Sequence, residues 1–111
     1  MPIPQEWNLS GKVVVLTTGG RGWGPILAAG LAEAGANLAL IGHRQEILEA
    51  STEAVKEYGR QVLTIQADLR RPTAVRQAMR KVARSLGRID ALVNDTQVEF
   101  AKPILEITPA E

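Results

Sequence analysis

Thr17-Thr18-Gly19-Gly20-Arg21-Gly22-Trp23-Gly24 is the stretch of this chain whose residue types and spacing best suit chemistry on a ligand. Glycines let backbone amides approach a phosphate closely, and a helix starting directly after them adds unpaired N–H groups and a partial positive charge. The same letters also serve a tight turn, so the flanking elements must decide between the two. Two phosphate loops are excluded outright. The Walker loop needs Gly-Lys followed by Ser or Thr, and Gly24-Pro25 stands there instead. The G-x-G-x-x-G loop, started at Gly22 and Gly24, needs a third glycine where Leu27 stands. Further along, His43 and Arg44 are the basic pair that could meet a phosphate, Arg through a two-pronged donor set and His when protonated.

Hydrophobic periodicity predicts the scaffold for these residues. Residues 12–17 form a short β-branched run that reads as a strand buried on both faces. Residues 25–34 are rich in helix formers and end at Gly35; residues 37–41 are again strand-like and end at Gly42. Residues 45–58 place Ile47, Leu48, Ala54 and Val55 on one side and Glu46, Glu49, Glu53 and Glu57 on another, at helical spacing. A third strand is expected over 61–67. A helix over 72–86 follows, with Pro72 in its first turn and Val75, Met79, Val82 and Leu86 as its buried stripe. A fourth strand is expected over 89–93. Strand and helix alternate with short joints, which predicts an α/β fold: a Rossmann-like doubly wound parallel sheet, truncated after about four strands. Residues 1–111 form one such domain. Thr108-Pro109-Ala110-Glu111 is a capping box with a proline at the first helical position, so the chain reads as the front part of a longer fold.

Composition removes several function classes. The 111 residues are 45% apolar and 23% charged, enough for one core. Thirteen basic against twelve acidic side chains leave a net charge of +1, which argues against a polyelectrolyte grip on nucleic acid or acidic lipid. Eight basic residues and one acid, Asp68, lie between Arg60 and Arg88, with Arg76, Arg80 and Arg84 four apart; this reads as the wet side of a helix. There is no cysteine and His43 is the only histidine, so no metal site is expected. The start lacks the basic-then-apolar run of a secretory signal, and no stretch reaches the roughly 18 apolar residues of a membrane span, so a cytoplasmic protein is expected.

Apart from Thr18, the residues 17–24 follow the T-G-x-x-x-G-x-G pattern of the short-chain dehydrogenase/reductase family, which this chain resembles from about residue 10 to its end. Asp68-Leu69 is similar to that family's adenine-contacting pair. Residues 87–94, G-R-I-D-A-L-V-N, resemble its fourth-strand entry, and residues 31–36, L-A-E-A-G-A, its first helix-to-strand joint. The resemblance implies that Thr17 to Gly24 hold a pyrophosphate, that Asp68 accepts a hydrogen bond from the adenine amino group, and that Asn94, followed by Asp95, lines the cofactor cleft. Asp68 can instead cap the turn leading to Pro72.

An acid at the end of the second strand would select NAD through the ribose hydroxyls, but that place reads Ile41-Gly42-His43-Arg44. NADP(H) is therefore expected over NAD(H), with Arg21 adding charge nearby, although Arg44 can equally be a solvated residue beside a helix start. Thr18 departs from the family pattern, because a β-branched residue resists the positive φ of the glycine usual there. The usual N-N-A-G reads Asn94-Asp95-Thr96-Gln97, and Asp95 near an anionic cofactor is repulsive. Trp23 is expected to pack beside the first helix. The family's catalytic Ser and Tyr-x-x-x-Lys are missing: Tyr58 is the only tyrosine, and Val62 stands four residues on. The expected function is thus the cofactor-binding part of an oxidoreductase passing hydride between NADP(H) and a small carbonyl or alcohol, with no catalytic residue in this chain. A non-catalytic dinucleotide sensor or scaffold is the alternative. Homo-oligomers are expected only of a longer form, and no nucleic-acid or membrane partner.

Overall fold

A computed structural model of the chain describes residues 4–18 and 23–96 together with Leu105 and Thr108. After a single 3-10 turn over Gln5–Trp7 come β1 (Val13–Thr18), α1 (Gly24–Glu33), β2 (Asn37–Gly42), α2 (Gln45–Lys56), β3 (Val62–Gln66), α3 (Pro72–Leu86) and β4 (Ala91–Asp95). The four strands form one parallel sheet in the order β3-β2-β1-β4. Helices cover both faces, so the doubly wound α/β arrangement expected from the periodicity is the observed one.

β1 lies at the centre, and all six of its residues are buried, as its unbroken apolar run requires. Alternate residues serve opposite layers. Val14 and Leu16 join Leu38 and Leu40 against Ala28 and Ala32 of α1 and Leu48 and Val55 of α2. Val13 and Val15 join Ala39 and Ile41 against Ala78 and Val82 of α3. Alanines at the α1 contact let that helix lie close to the strands. Gly35 ends the α1 joint with φ at +110° and its Cα against Ser10, whose Oγ would stand 2.8 Å from any added Cβ. Only glycine fits there on both counts.

The expected bounds of β1, α1, β2 and β3 move by one residue, and two others move by two. α2 ends at Lys56 rather than residue 58, and β4 runs over Ala91–Asp95 rather than 89–93. The cause of the second is a side-chain bridge. Val13 donates its N–H to Asp90 Oδ2 at 2.8 Å, and Asp90 N–H donates to Val13 O at 2.9 Å. Arg88 clamps the same carboxylate through Nε and Nη2 at 2.8 and 2.7 Å. The ladder then runs from Val14 opposite Ala91 to Thr18 opposite Asp95, bringing Asn94 and Asp95 level with the end of β1. The outer strand β4 is poorly covered, with Leu92 52% exposed. The residues from 97 on, Leu105 and Thr108 apart, lie outside the described set, so the helix expected from the Thr108 capping box does too.

Candidate functional site

All four strands are parallel, so the joints after β1, β2 and β3 and the end of β4 share one edge of the sheet. The chain leaves β1 toward β2 on one side and later returns to β4 on the other. Such a reversal opens a crevice at the carboxyl ends of the strands, between β1 and β4. Thr17 and Asn94 face each other across it in register, and Thr17 Oγ1 donates to Asn94 Oδ1 at 2.9 Å.

α1 begins at the same edge. Its first intrahelical bond runs from Leu27 N–H to Trp23 O, so the N–H groups of Gly24 and Ile26 precede the ladder, while Pro25 has none. Trp23 at the N-cap gives no side-chain hydrogen bond, and the first turn holds no acid. Neither the cap nor the first turn of this helix thus supplies a counter-charge to its positive end. Trp23, one residue before the helix start, is 57% exposed.

Two glycines keep this region flush. A Cβ on Gly24 would stand 2.9 Å from Ser51 Oγ, 3.1 Å from Ile47 Cγ2 and 3.2 Å from Thr18 Cβ. A Cβ on Gly42 would collide with the carbonyl oxygen of Thr18. Thr18 ends β1 in extended conformation, and no described residue other than glycine has a positive φ, so the threonine replaces the family's glycine without strain. Thr18 Oγ1 and Ser51 Oγ, both buried and both beside Gly24, have no hydrogen-bond partner among the described residues. Gly19, Gly20, Arg21 and Gly22 lie outside the described residues.

His43 and Arg44 follow Gly42 directly and are exposed. Arg44, the N-cap residue of α2, donates to Glu46 Oε1 from Nε at 3.2 Å and Nη2 at 3.1 Å. The Glu46 carboxyl is held below its usual range by backbone hydrogen bonding at the helix start and then by Arg44. An exposed pair of this kind is weak and yields readily to a stronger anion. Gln66 Nε2 holds the His43 carbonyl at 3.2 Å.

Asp68 shows the turn role. Its Oδ1 accepts from Arg70 N–H and Arg70 Nε, and its Oδ2 accepts from Arg70 Nη2, each at 3.0 Å. The guanidinium and the backbone N–H of Arg70 together pull the carboxyl down to about 2. Leu69 behind it lines a cleft of about 400 Å³ with Thr17, Ile41, Val75, Leu92 and Asn94. The structure therefore brings Thr17, Leu69 and Asn94 into one cleft, and Thr18 and Gly24 into an adjoining cradle. Asp95 pairs with Thr18 and is half-buried. Tyr58 lies beyond α2 at the opposite edge, its N–H bonded to Val55 O, far from the crevice. Among the described residues no group of three or more His, Asp or Glu could hold a metal.

Sequence reasoning missed Gly42 and Ser51 as site residues. Each carried a signal: a glycine closing an apolar strand, and a lone hydroxyl on the buried stripe of a helix.

The short chain dehydrogenase family model matches residues 12–111. A hydroxynaphthalene reductase of Aspergillus fumigatus is 40% identical over 101 residues, covering 90% of this chain and 37% of that protein. The L-sorbose reductase of Gluconobacter frateurii, solved with NADPH and L-sorbose, superposes with a TM-score of 0.75 at 30% identity, covering 95% of this chain and 40% of that one. An NAD+-bound xylitol dehydrogenase gives 0.65 at 32% identity, covering 76% and 32%. The chain belongs to the short-chain dehydrogenase/reductase family, and it spans 34–40% of the length of the first curated relatives that it matches.

The family uses NAD or NADP, and the residues present fit such a group. Gly24 seats the start of α1 tightly on Thr18, Ile47 and Ser51, and the N–H groups of that helix start, which precede its hydrogen-bond ladder, are the donors a pyrophosphate needs. Among the described residues, Asp95 at the end of β4 places a negative charge beside this helix start.

Proposed function

We propose that this chain is the coenzyme-binding portion of an NADP(H)-dependent oxidoreductase acting on a small carbonyl or alcohol. The bound coenzyme would supply the hydride. The chain's own part is to bind and orient: α1's first amides toward the pyrophosphate, Thr17, Leu69 and Asn94 along the cleft, His43 and Arg44 at the adenosine end. Asp68 reaches an adenine amino group only through lone pairs that Arg70 leaves unused, since both of its oxygens are already engaged. The family's Ser and Tyr-x-x-x-Lys are absent from the 111 residues, so proton transfer is not assigned to any of them. A cytoplasmic setting goes with this reading. Among the described residues no helix is long and apolar enough to cross a membrane.

One observation carries the coenzyme choice: no carboxylate ends β2, and the basic pair His43-Arg44 stands where it would be. A charge-assisted hydrogen bond to a 2′-phosphate contributes about 1.5–3 kcal/mol, which is roughly a 10- to 150-fold preference. Calorimetric titration with NADPH and NADH tests it. NADPH should bind at least about tenfold more tightly, and Arg44→Ala should bring the ratio to within about threefold. Equal or tighter NADH binding by the unaltered chain overturns the reading.

A further inference from the structure

Two exposed stripes of opposite charge lie on the two sheet faces of this nearly neutral chain, with one exposed base, Lys56, on the acidic helix. On α2 and its C-cap, Glu49, Glu53 and Glu57 recur every four residues, all exposed. On α3, Arg76, Arg80 and Arg84 recur at the same interval, also exposed, and that helix contains no acid. Four residues advance an α-helix by about 6 Å, so the two stripes share one step and one length of about 12 Å. α2 packs on the layer of Val14, Leu16, Leu38 and Leu40, whereas α3 packs on the layer of Val13, Val15, Ala39 and Ile41. The stripes therefore look outward from opposite sides of the molecule and cannot neutralise each other within it. The ion pairs among described residues are local ones, Arg44 with Glu46, Arg70 with Asp68 and Arg88 with Asp90. None of them uses a stripe residue. Glu49 alone is engaged, by Gln45 Nε2 at 3.1 Å.

We propose that the arginine stripe of α3 docks on the glutamate stripe of α2 of a second copy of this chain. Matching interval, matching length and opposite sign select the copy over other anions. A nucleic-acid backbone would also suit the arginines, but α3 carries no aromatic residue on which bases could stack. The contact is head-to-tail. Because the complementary stripes lie on opposite faces, two copies cannot satisfy both at once, and association grows open-ended instead of stopping at a dimer. Such attraction in the chain itself departs from the expectation that self-association needs a longer form. It does not depend on coenzyme binding.

Sedimentation equilibrium at about 10 mM and about 300 mM ionic strength tests the proposal, since the screening length falls from roughly 30 Å to under 8 Å between them. At low salt the apparent mass should climb with concentration without a plateau; at high salt it should stay monomeric. Arg76→Glu/Arg80→Glu/Arg84→Glu and, separately, Glu49→Lys/Glu53→Lys/Glu57→Lys should both be monomeric at low salt. Combining all six substitutions restores the net charge of +1 and should restore the association. Circular dichroism checks each fold, and if a triple variant unfolds, Arg80→Glu, Glu53→Lys and their combination take its place, with the same loss and recovery expected in smaller degree. Association that persists or strengthens in salt overturns the proposal, as does a triple variant that still associates or a six-fold variant that does not. Salt-sensitive retention of a DNA duplex without self-association overturns it as well.

Discussion

Gly24→Ala probes the floor of the cradle through a conflict between two effects of opposite sign. The φ of Gly24 is not positive, so alanine is conformationally allowed, and propensity alone would stabilise by up to about 1 kcal/mol. The new Cβ, however, would meet Ser51 Oγ at 2.9 Å, Ile47 Cγ2 at 3.1 Å and Thr18 Cβ at 3.2 Å. These contacts come from both α2 and β1, so no single side chain can move aside. Overpacking of this kind costs about 1–3 kcal/mol, and a net loss of roughly 1–2 kcal/mol is expected. Ser51→Ala should act the other way, because it removes a fully buried hydroxyl that has no partner among the described residues, a group whose desolvation costs about 1–3 kcal/mol. In the double variant the shortest contact is gone. The double should therefore exceed the sum of the singles by about 1 kcal/mol or more, outside the roughly 0.3–0.5 kcal/mol within which independent sites add. Urea unfolding at unchanged m-value measures all three. NADPH titration should show weaker binding by Gly24→Ala, recovering in part with Ser51→Ala, since the displaced helix start carries the amides. A neutral Gly24→Ala, or strict additivity of the pair, refutes the account of a floor set by Ser51.

Arg70→Gln should move the Asp68 carboxyl titration from about 2 back toward the usual 3.8, followed by NMR of its side-chain carbon. A pKa lowered by folding means that the pairing stabilises fully above the unfolded value and is lost as pH falls toward the folded one. The 68–71 turn should thus loosen only between pH 3.8 and about 2, and an unmoved midpoint in Arg70→Gln would exclude the guanidinium as cause. Asp90→Ala removes the acceptor of Val13 N–H, so that amide should exchange markedly faster while Val15 N–H does not. Leu92→Lys, on the half-exposed outer strand, should raise solubility at high salt with little change in unfolding midpoint; a large loss of stability would mean that Leu92 is covered in solution.

Much of the fold was legible because burial has a period. The six-residue apolar run of β1, the four-residue glutamate and arginine spacings and the stops at Gly35 and Gly87 each follow from local chemistry, and α3 coincides with the expected 72–86. The end of β2 was legible too, as a strand end without an acid. What misled was the fourth strand: Ile89 looks like a strand residue, but the bonds between Asp90 and Val13 join positions 77 apart and slide the ladder toward the carboxyl edge.

By itself, then, the order of residues determined the alternation of elements, the glycine joint and the sign of charge at the end of β2. Each depends on neighbours within one or two turns of chain. Tertiary structure alone decided that Gly24 and Gly42 are both needed by Thr18, that Ser51 closes the cradle, that Asn94 faces Thr17, and that the two charge stripes point away from each other. Those are distances between segments far apart in sequence, and only strand order and register set them.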